Sequence, residues 1–481
     1  MALTTAQEEV LVQLIEAFQN GKRLSDLPNV SGTNPYDLYV EVLDTDGESK
    51  KASLASLLPY LEEQCAYGVE RDITVSSSTL TRVGNTALHK SLPLQSRMRG
   101  CILNDNGDVV EYLDPKSWLG NTRDGSRGQV MVELPLYYFR AITDGNKQRF
   151  MLSEYPLPGY TQVPKMYVSA YEATVQRSTS KLASVVNTDA DYRGGNNNSA
   201  YDGNSNTFLG RPATAISRTN FRKYARNRKS GSAEWNCMTY DIQKTIFWFF
   251  AVEYATLNSQ AEYNAELTSE GYHQGGLGAG VTTLSDAKWS AFNGNYPFIP
   301  CGHTDELGNG TGVVAYTMPT EYDPDGNQPE TNVPRYRGVE NPFGHIWQWT
   351  DGINIRISPT AENGGDDTSK VYVCSDPSKF SDTSYDGYSH VGNEARESGY
   401  IKNIIFGEGG DIVPSEVGGG STTYFCDYHY TNIPTSETLR GLLFSGGAIG
   451  GAGAGLAYAG SGSAPSYTSA NFGSRLCFLP E

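Results

Sequence analysis

Apolar residues first recur at helical spacing near the N-terminus, where Val10, Leu11, Leu14, Ile15 and Phe18 share one face behind a Thr5-Ala-Gln-Glu8 capping box and ahead of Gly21. The spacing predicts a short amphipathic helix. Leu38 to Leu43 then alternates like a strand, Asp44-Thr-Asp-Gly47 makes a turn, and Leu54, Leu57, Leu58 and Leu61 mark a second helical patch containing Pro59. Residues 1–70 therefore read as a small helical and β module that buries little by itself, either an oligomerisation and attachment unit or a small domain packed on its own chain. Over 71–160 the pattern changes to short strands between turn clusters such as Asn104-Asp-Asn-Gly107 and Thr143-Asp-Gly-Asn146, with Val130 to Phe139 the strongest strand. This predicts a β-rich connector. Residues 161–481 read as one further domain, in which Arg193 to Asn206 is a polar surface excursion. Ile242, Ile246, Phe249, Phe250 and Leu257 recur at helical spacing from an Asp241 cap to Asn258, predicting the main core helix of an otherwise β and loop segment. The expected fold class is α+β.

Composition sharpens this picture. The 481 residues include 52 Gly and 31 Tyr, and 37 Lys plus Arg stand against 54 Asp plus Glu for a formal net charge of -17. Polarity lies in turn residues more than in charge, as in loop-rich β proteins, and 38% hydrophobic residues supply a core. The acidic balance offers no basic field for phosphates, so nucleic acid is not an expected partner. The one basic cluster, Arg218 to Lys229, reads as a solvated face or as internal Arg pairing. No apolar run reaches the roughly 18 to 20 residues of a membrane helix, and Met1 to Gln13 lacks the basic start and apolar run of a signal peptide. Synthesis in the cytoplasm without membrane insertion is expected. Seven scattered cysteines with no C-x-x-C read as buried thiols.

Motifs for chemistry are sparse. Asp44-Thr-Asp46, Asp105 to Asp108 and Asp323-Pro-Asp325-Gly-Asn327 are turn chemistry, since none completes a calcium loop. The six histidines show no zinc spacing, Asp427-Tyr-His429 alone makes no metal site, and the glycines after Gly446 lack the Lys of a phosphate loop. The expectation is no catalytic residue, no metal and no cofactor.

The informative elements are Asn341-Pro-Phe-Gly-His-Ile-Trp-Gln-Trp-Thr-Asp-Gly352, then Leu439-Arg-Gly441, then the ending Gly473-Ser-Arg-Leu-Cys-Phe478. Phe343, Ile346, Trp347 and Trp349 form an aromatic core patch, and Arg475 in an apolar terminal strand needs a buried partner. Together these resemble the C-type-lectin-like fold of the formylglycine-generating-enzyme branch, in which a Gly-Asn-Val-Trp-Glu-Trp element, an Arg-Gly-Gly-Ser element and a terminal Gly-Phe-Arg occupy the corresponding places. That branch's enzymes use a late cysteine pair; here only Cys426 and Cys477 are late, and Cys477 lies in the terminal strand, so catalysis is not supported.

Between the last two landmarks, residues 445–472 hold eight Gly, seven Ala and five Ser and no charged residue. A core-type ending follows, which a linker would lack. The layout resembles the variable segment of proteins diversified by a retroelement, of the type found in gut Bacteroides phages. In that family a varied position never becomes Trp, Met, Lys, Gln or Glu, and this run contains none of the five. The resemblance implies varied, ligand-binding positions at Gly447, Ile449, Gly450, Gly453, Gly460, Gly462, Ser463, Tyr467, Ser469 and Phe472. It implies a fixed framework at Gly451, Ala454, Gly455, Leu456, Ala457, Tyr458, Ala459, Ala464 and Pro465, and because a scaffold tolerates wholesale variation only where side chains meet solvent, the varied positions are expected on one exposed face with the framework buried between them. It further implies a phage tail receptor-binding protein located on the virion. Its partners would be a host cell-surface receptor and other tail proteins, and its state a homotrimer. A bacterial surface adhesin with the same fold and, further off, a formylglycine-generating-type oxygenase using Cys426 and Cys477 are the alternatives.

Overall fold

The computed structural model describes residues 39–43, 49–319 and 330–480. The expected helix over 5–18, the Asp44 turn and the Asp323 turn lie outside the described residues. The first described elements are the paired strands Tyr39–Leu43 and Ser49–Ser53, followed by the helix Leu54–Cys65 with Pro59 inside it. From its last turns Leu61 and Cys65 pack with Ala66, Met151 and Leu157 in a small apolar cluster.

The rest is strand-rich with few helices, an α+β architecture built around three larger sheets. A five-stranded sheet runs in the order Thr161–Val163, Tyr137–Asp144, Lys147–Ser153, Ala66–Asp72, Thr81–Gly84. A six-stranded sheet runs Trp235–Cys237, Leu476–Phe478, Met166–Ser169, Gln129–Leu134, Arg99–Leu103, Val109–Tyr112. The single strand expected over 130–139 is thus two strands in two sheets. Pro135 has no N–H to continue a ladder, and the chain changes sheet there. The expected turns at 104–107 and 143–146 are present, with Asn104 Oδ1 accepting the N–H groups of Asn106 and Asp108 and with Asp144 paired to Lys147.

The 71–160 segment does not stand apart as a connector. Three of its strands continue the sheet that holds the C-terminal strand, which lies antiparallel between Met166–Ser169 and Trp235–Cys237. Two of its side chains reach the central helix Tyr240–Tyr254: Tyr137 Oη lies 2.9 Å from Thr245 Oγ1, and Phe150 stacks on Trp248 at 4.2 Å. Turn clusters mark chain reversals, and a reversal inside one sheet looks the same in sequence as one between domains.

That helix is buried on every side, with thirteen of its fifteen residues enclosed, so it is a core element and not an amphipathic cover. It is shorter than the 241–258 pattern suggests. Ala255 adopts φ 52° and ends it, while Leu257 donates its N–H to Ser78 O in a far earlier segment of the chain. Its polar residues are bound inside: Gln243 Nε2 donates to Leu456 O at 2.7 Å, and Glu253 accepts from Tyr336 Oη and pairs with Arg337.

The basic cluster forms a helix, Arg218–Arg226, that hydrophobic patterning does not announce because its inward side places Arg218 and Arg222 beside only two apolar residues, Phe221 and Ala225. Arg218 is fully buried and donates to Asp382, Asn354 and the carbonyl of Ile353, while Arg222 pairs with Asp351 and Asp382. Arg228 pairs with Asp105. Internal pairing, and not a solvated face, is the outcome for these three. Arg475 is 1% exposed and donates to Gln348 Oε1 and to the carbonyls of Ser169, Ala170, Glu340 and Asn341.

Candidate functional site

The third sheet positions the glycine-rich segment. Its order is Ser389–Asn393, Ser369–Val373, Trp347–Ile357, Thr438–Ser445, Gly455–Gly460, Tyr428–Tyr430, Gly399–Phe406, Asp411–Val417, and the short strand Phe472–Gly473 pairs on Trp347–Ile357. Residues 445–472 therefore leave one sheet strand, supply an interior strand of the same sheet, and return parallel to its hub with Phe472 beside Trp347.

Directly paired residues project from the same side of a sheet, and next-but-one residues along a strand do too. Gly460 pairs with both Leu443 and Tyr430, Leu443 with Trp349, and Tyr428 with Tyr400. Trp347, Tyr458, Tyr428, Tyr430 and Tyr400 accordingly stand on one face, away from Ala459, His429 and Phe444, which are fully buried on the other. Their rings form a chain: Trp347 to Tyr458 at 4.5 Å, Tyr458 to Tyr428 at 5.8 Å, Tyr428 to Tyr400 at 5.3 Å. Tyr430 is 48% exposed and the other four are half-buried. Trp349 is fully enclosed, so of the two tryptophans expected in the core only Trp349 is inside, and Trp347 floors the surface.

The positions expected to vary gather unevenly around this floor. A Cβ built on Gly447 would lie 3.4 Å from Trp347, one on Gly460 3.2 Å from the same ring, one on Gly453 3.0 Å from Tyr428, and one on Gly462 2.6 Å from Tyr430. Phe472 pairs with Trp347 and lies 5.7 Å from the Tyr467 ring, and Ser469 Oγ hydrogen-bonds to Asn471 Oδ1. Gly450 faces Gly447 O and Ala454 Cβ instead, Ile449 points to solvent, and Ser463 is half-buried with its carbonyl accepting the Gly441 N–H. No described ring contact draws these three in. Ile449 and Tyr467 are exposed, and Gly450, Gly462, Ser463, Ser469 and Phe472 are half-buried. Gly447, Gly453 and Gly460 are buried, contrary to the expectation of a uniformly exposed set; with no side chain of their own they lie beneath neighbouring rings.

Framework glycines differ from these in kind. Gly451 adopts φ +52°, where a side chain is strained, and a Cβ on Gly455 would fall 2.0 Å from Asp427 Oδ1. None of Gly447, Gly450, Gly453, Gly460 or Gly462 has a left-handed φ. Ala454, Leu456, Ala457 and Ala459 are at most 1% exposed. Gly451, Tyr458 and Ala464 depart from the expected burial, being half-buried, Tyr458 because it belongs to the aromatic floor.

Two buried acids pin the strand from below. Asp427 Oδ2 accepts the Ala457 N–H at 2.8 Å, and burial raises its carboxyl well above the usual range. Glu394 Oε1 accepts from Ser461 Oγ at 2.7 Å and from Thr431 Oγ1, and burial pushes its carboxyl up to about 8. Ser461 lies between Gly460 and Gly462, so this cluster anchors the turn that carries both. His429 sits between the carbonyls of Ala459 and Ala395, and no cluster of potential metal ligands occurs among the described residues.

The chain resembles no family model and no curated protein at a meaningful level. Solved structures titled Major Tropism Determinant align along most of their length. The U1 variant is 10% identical over 91% of this chain and 94% of that one, and the I1 variant 12% identical over 83% and 88%, each with a TM-score of 0.20. Superpositions that loose carry no argument about this chain.

Tyr400, Tyr428 and Tyr430 are the site residues that sequence reasoning misses. Their signal is the alternation in Tyr428-His-Tyr430, which puts two tyrosines on one face of a strand. Cys426 and Cys477 are both buried and unbonded, and burial pushes their thiols up to about 11 and about 12. Both keep their protons at neutral pH. A cleft of about 460 Å³ lined by Tyr137, Phe139, Lys244, Asp376 and Leu479 includes no residue of 445–472.

Proposed function

We propose that this chain is a phage tail receptor-binding protein, with a C-type-lectin-like scaffold presenting a diversified surface to a host cell-surface receptor. One observation carries the reading: within 445–472 the glycines held as glycine by a left-handed φ or by a committed carboxylate, Gly451 and Gly455, are both framework positions, and none of the glycines assigned to vary is held in either way. The five glycines assigned to vary have ordinary φ, and four of them adjoin a solvent-facing aromatic floor. Of the framework, Gly451 and Gly455 are held as glycine by φ and by Asp427, and Ala454, Leu456, Ala457 and Ala459 are enclosed. Scaffolds absorb wholesale variation only where replacement costs little, since buried substitutions typically cost about 1 to several kcal/mol against a total of about 5 to 15. The adjacency of the terminal strand to Met166–Ser169 supports a closed domain in which variation near the C-terminus leaves both ends fixed.

In this reading residues 1–70 attach the chain to other tail proteins as a homotrimer, and the protein resides on the virion. Purified full-length chain, preincubated with receptive cells, should reduce adsorption of a phage carrying it by at least about tenfold at saturation. Undiminished adsorption at saturating protein contradicts the reading.

A further inference from the structure

We infer that the aromatic face holds a neutral glycan, with a pyranose ring stacked on Trp347 and the tyrosines and its hydroxyls bound by the phenols. The inference rests on the receptor-binding reading and adds the class of receptor. Four phenols, those of Tyr400, Tyr428, Tyr430 and Tyr458, cluster closely enough to influence one another electrostatically, yet their hydroxyls make no hydrogen bond among the described residues. Elsewhere the buried phenols are bound: Tyr67 to Gln95, Tyr171 to Asp305, Tyr336 to Glu253. The hydroxyls of the face are therefore spare donors and acceptors arrayed around flat apolar rings. A sugar ring offers the matching pair of surfaces, an apolar C–H face and a rim of hydroxyls.

Charge points the same way. Residues 445–472 carry none, Asp427 and Glu394 are enclosed and committed to Ala457, Ser461 and Thr431, and Lys402 on the adjoining strand is paired with Glu416 at 2.7 Å. Among the described residues of these strands no unpaired charge shares the face: Arg440, which has no ion pair, lies three positions from Leu443 along its strand and so projects from the other side. Tyr and Trp also anchor protein partners, but such an interface fixes its orientation with charged or amide groups, and the amide beside Trp347, that of Asn471, is already engaged by Ser469 Oγ. None of the five floor residues is among the positions assigned to vary, so the ligand class is common to all variants and the rim selects among glycans. Glycine at 447, 453, 460 and 462 leaves the floor bare in this one.

The full-length chain should be tested on immobilised neutral, sialylated and sulfated oligosaccharides, and on receptive cells treated with periodate or with protease. Expected are binding to at least one neutral oligosaccharide that persists at high salt and loss of cell attachment after periodate but not after protease. Tyr430→Ala should weaken the oligosaccharide complex at least about tenfold and Tyr430→Phe less; both should unfold like the parent, because Tyr430 is half exposed. Binding to anionic probes only, or attachment that survives periodate and is abolished by protease, overturns the glycan class and leaves receptor binding standing. Attachment to no cell overturns both.

Discussion

Replacing Arg475 by Met should destabilise the protein by about 3 to 5 kcal/mol, because it strands several buried neutral acceptors whose loss is only partly relieved by entering water. The guanidinium is fully enclosed and joins the terminal strand to three others: it reaches Gln348 in the hub strand, Ser169 and Ala170 at the end of Met166–Ser169, and Glu340 and Asn341. Methionine fills similar volume but leaves four carbonyls and an amide oxygen facing apolar atoms, each costing about 1 to 3 kcal/mol if water does not enter. Lysine would restore one charge and fewer donors in a different geometry, so Arg475→Lys should recover only part of the loss. The shift in urea midpoint of the full chain, with its slope unchanged, measures both. A change below about 1 kcal/mol for Arg475→Met would mean that the terminal strand is held by apolar packing alone.

A second pair of substitutions should separate two glycines five residues apart in one strand. Gly455→Ala should cost about 3 kcal/mol and Gly460→Ala less than about 0.5. At 455 the methyl would stand 2.0 Å from Asp427 Oδ1, and Asp427 cannot swing away without giving up the Ala457 N–H it accepts. At 460 the methyl meets only the edge of the half-buried Trp347 ring at 3.2 Å, and the lower backbone entropy of alanine in the unfolded chain offsets that crowding. Thermal unfolding of the two variants side by side gives the comparison. Equal losses would remove the physical distinction between framework and varied positions.

Much of this architecture is legible in the sequence where the pattern is local. The central helix shows in the run from Ile242 to Phe250, but its end does not, because Ala255 turns left-handed to let Leu257 join the Ser78 segment far away in sequence. The helix Arg218–Arg226 hides for a related reason: two of its four buried residues are Arg218 and Arg222, whose partners Asp351 and Asp382 lie more than a hundred residues on. Turn clusters gave the connector its apparent independence, although its strands complete a sheet with residues 476–478. At the site, composition marks 445–472 as unusual but cannot say which glycine faces a ring and which faces a buried carboxylate. That depends on Asp427 and Trp347, both outside the segment. The tyrosines from 400 to 430 escape notice because sheet pairing alone brings their strands beside Gly455–Gly460.

The claim that this surface is diversified is tested most directly by sequencing the last forty or so codons from many independent isolates of one lineage. The account predicts that substitutions concentrate at Gly447, Ile449, Gly450, Gly453, Gly460, Gly462, Ser463, Tyr467, Ser469 and Phe472, while Gly451, Gly455, Leu456, Ala457 and Arg475 stay constant. Substitutions spread evenly across framework and varied positions, or a segment identical in every isolate, would contradict it.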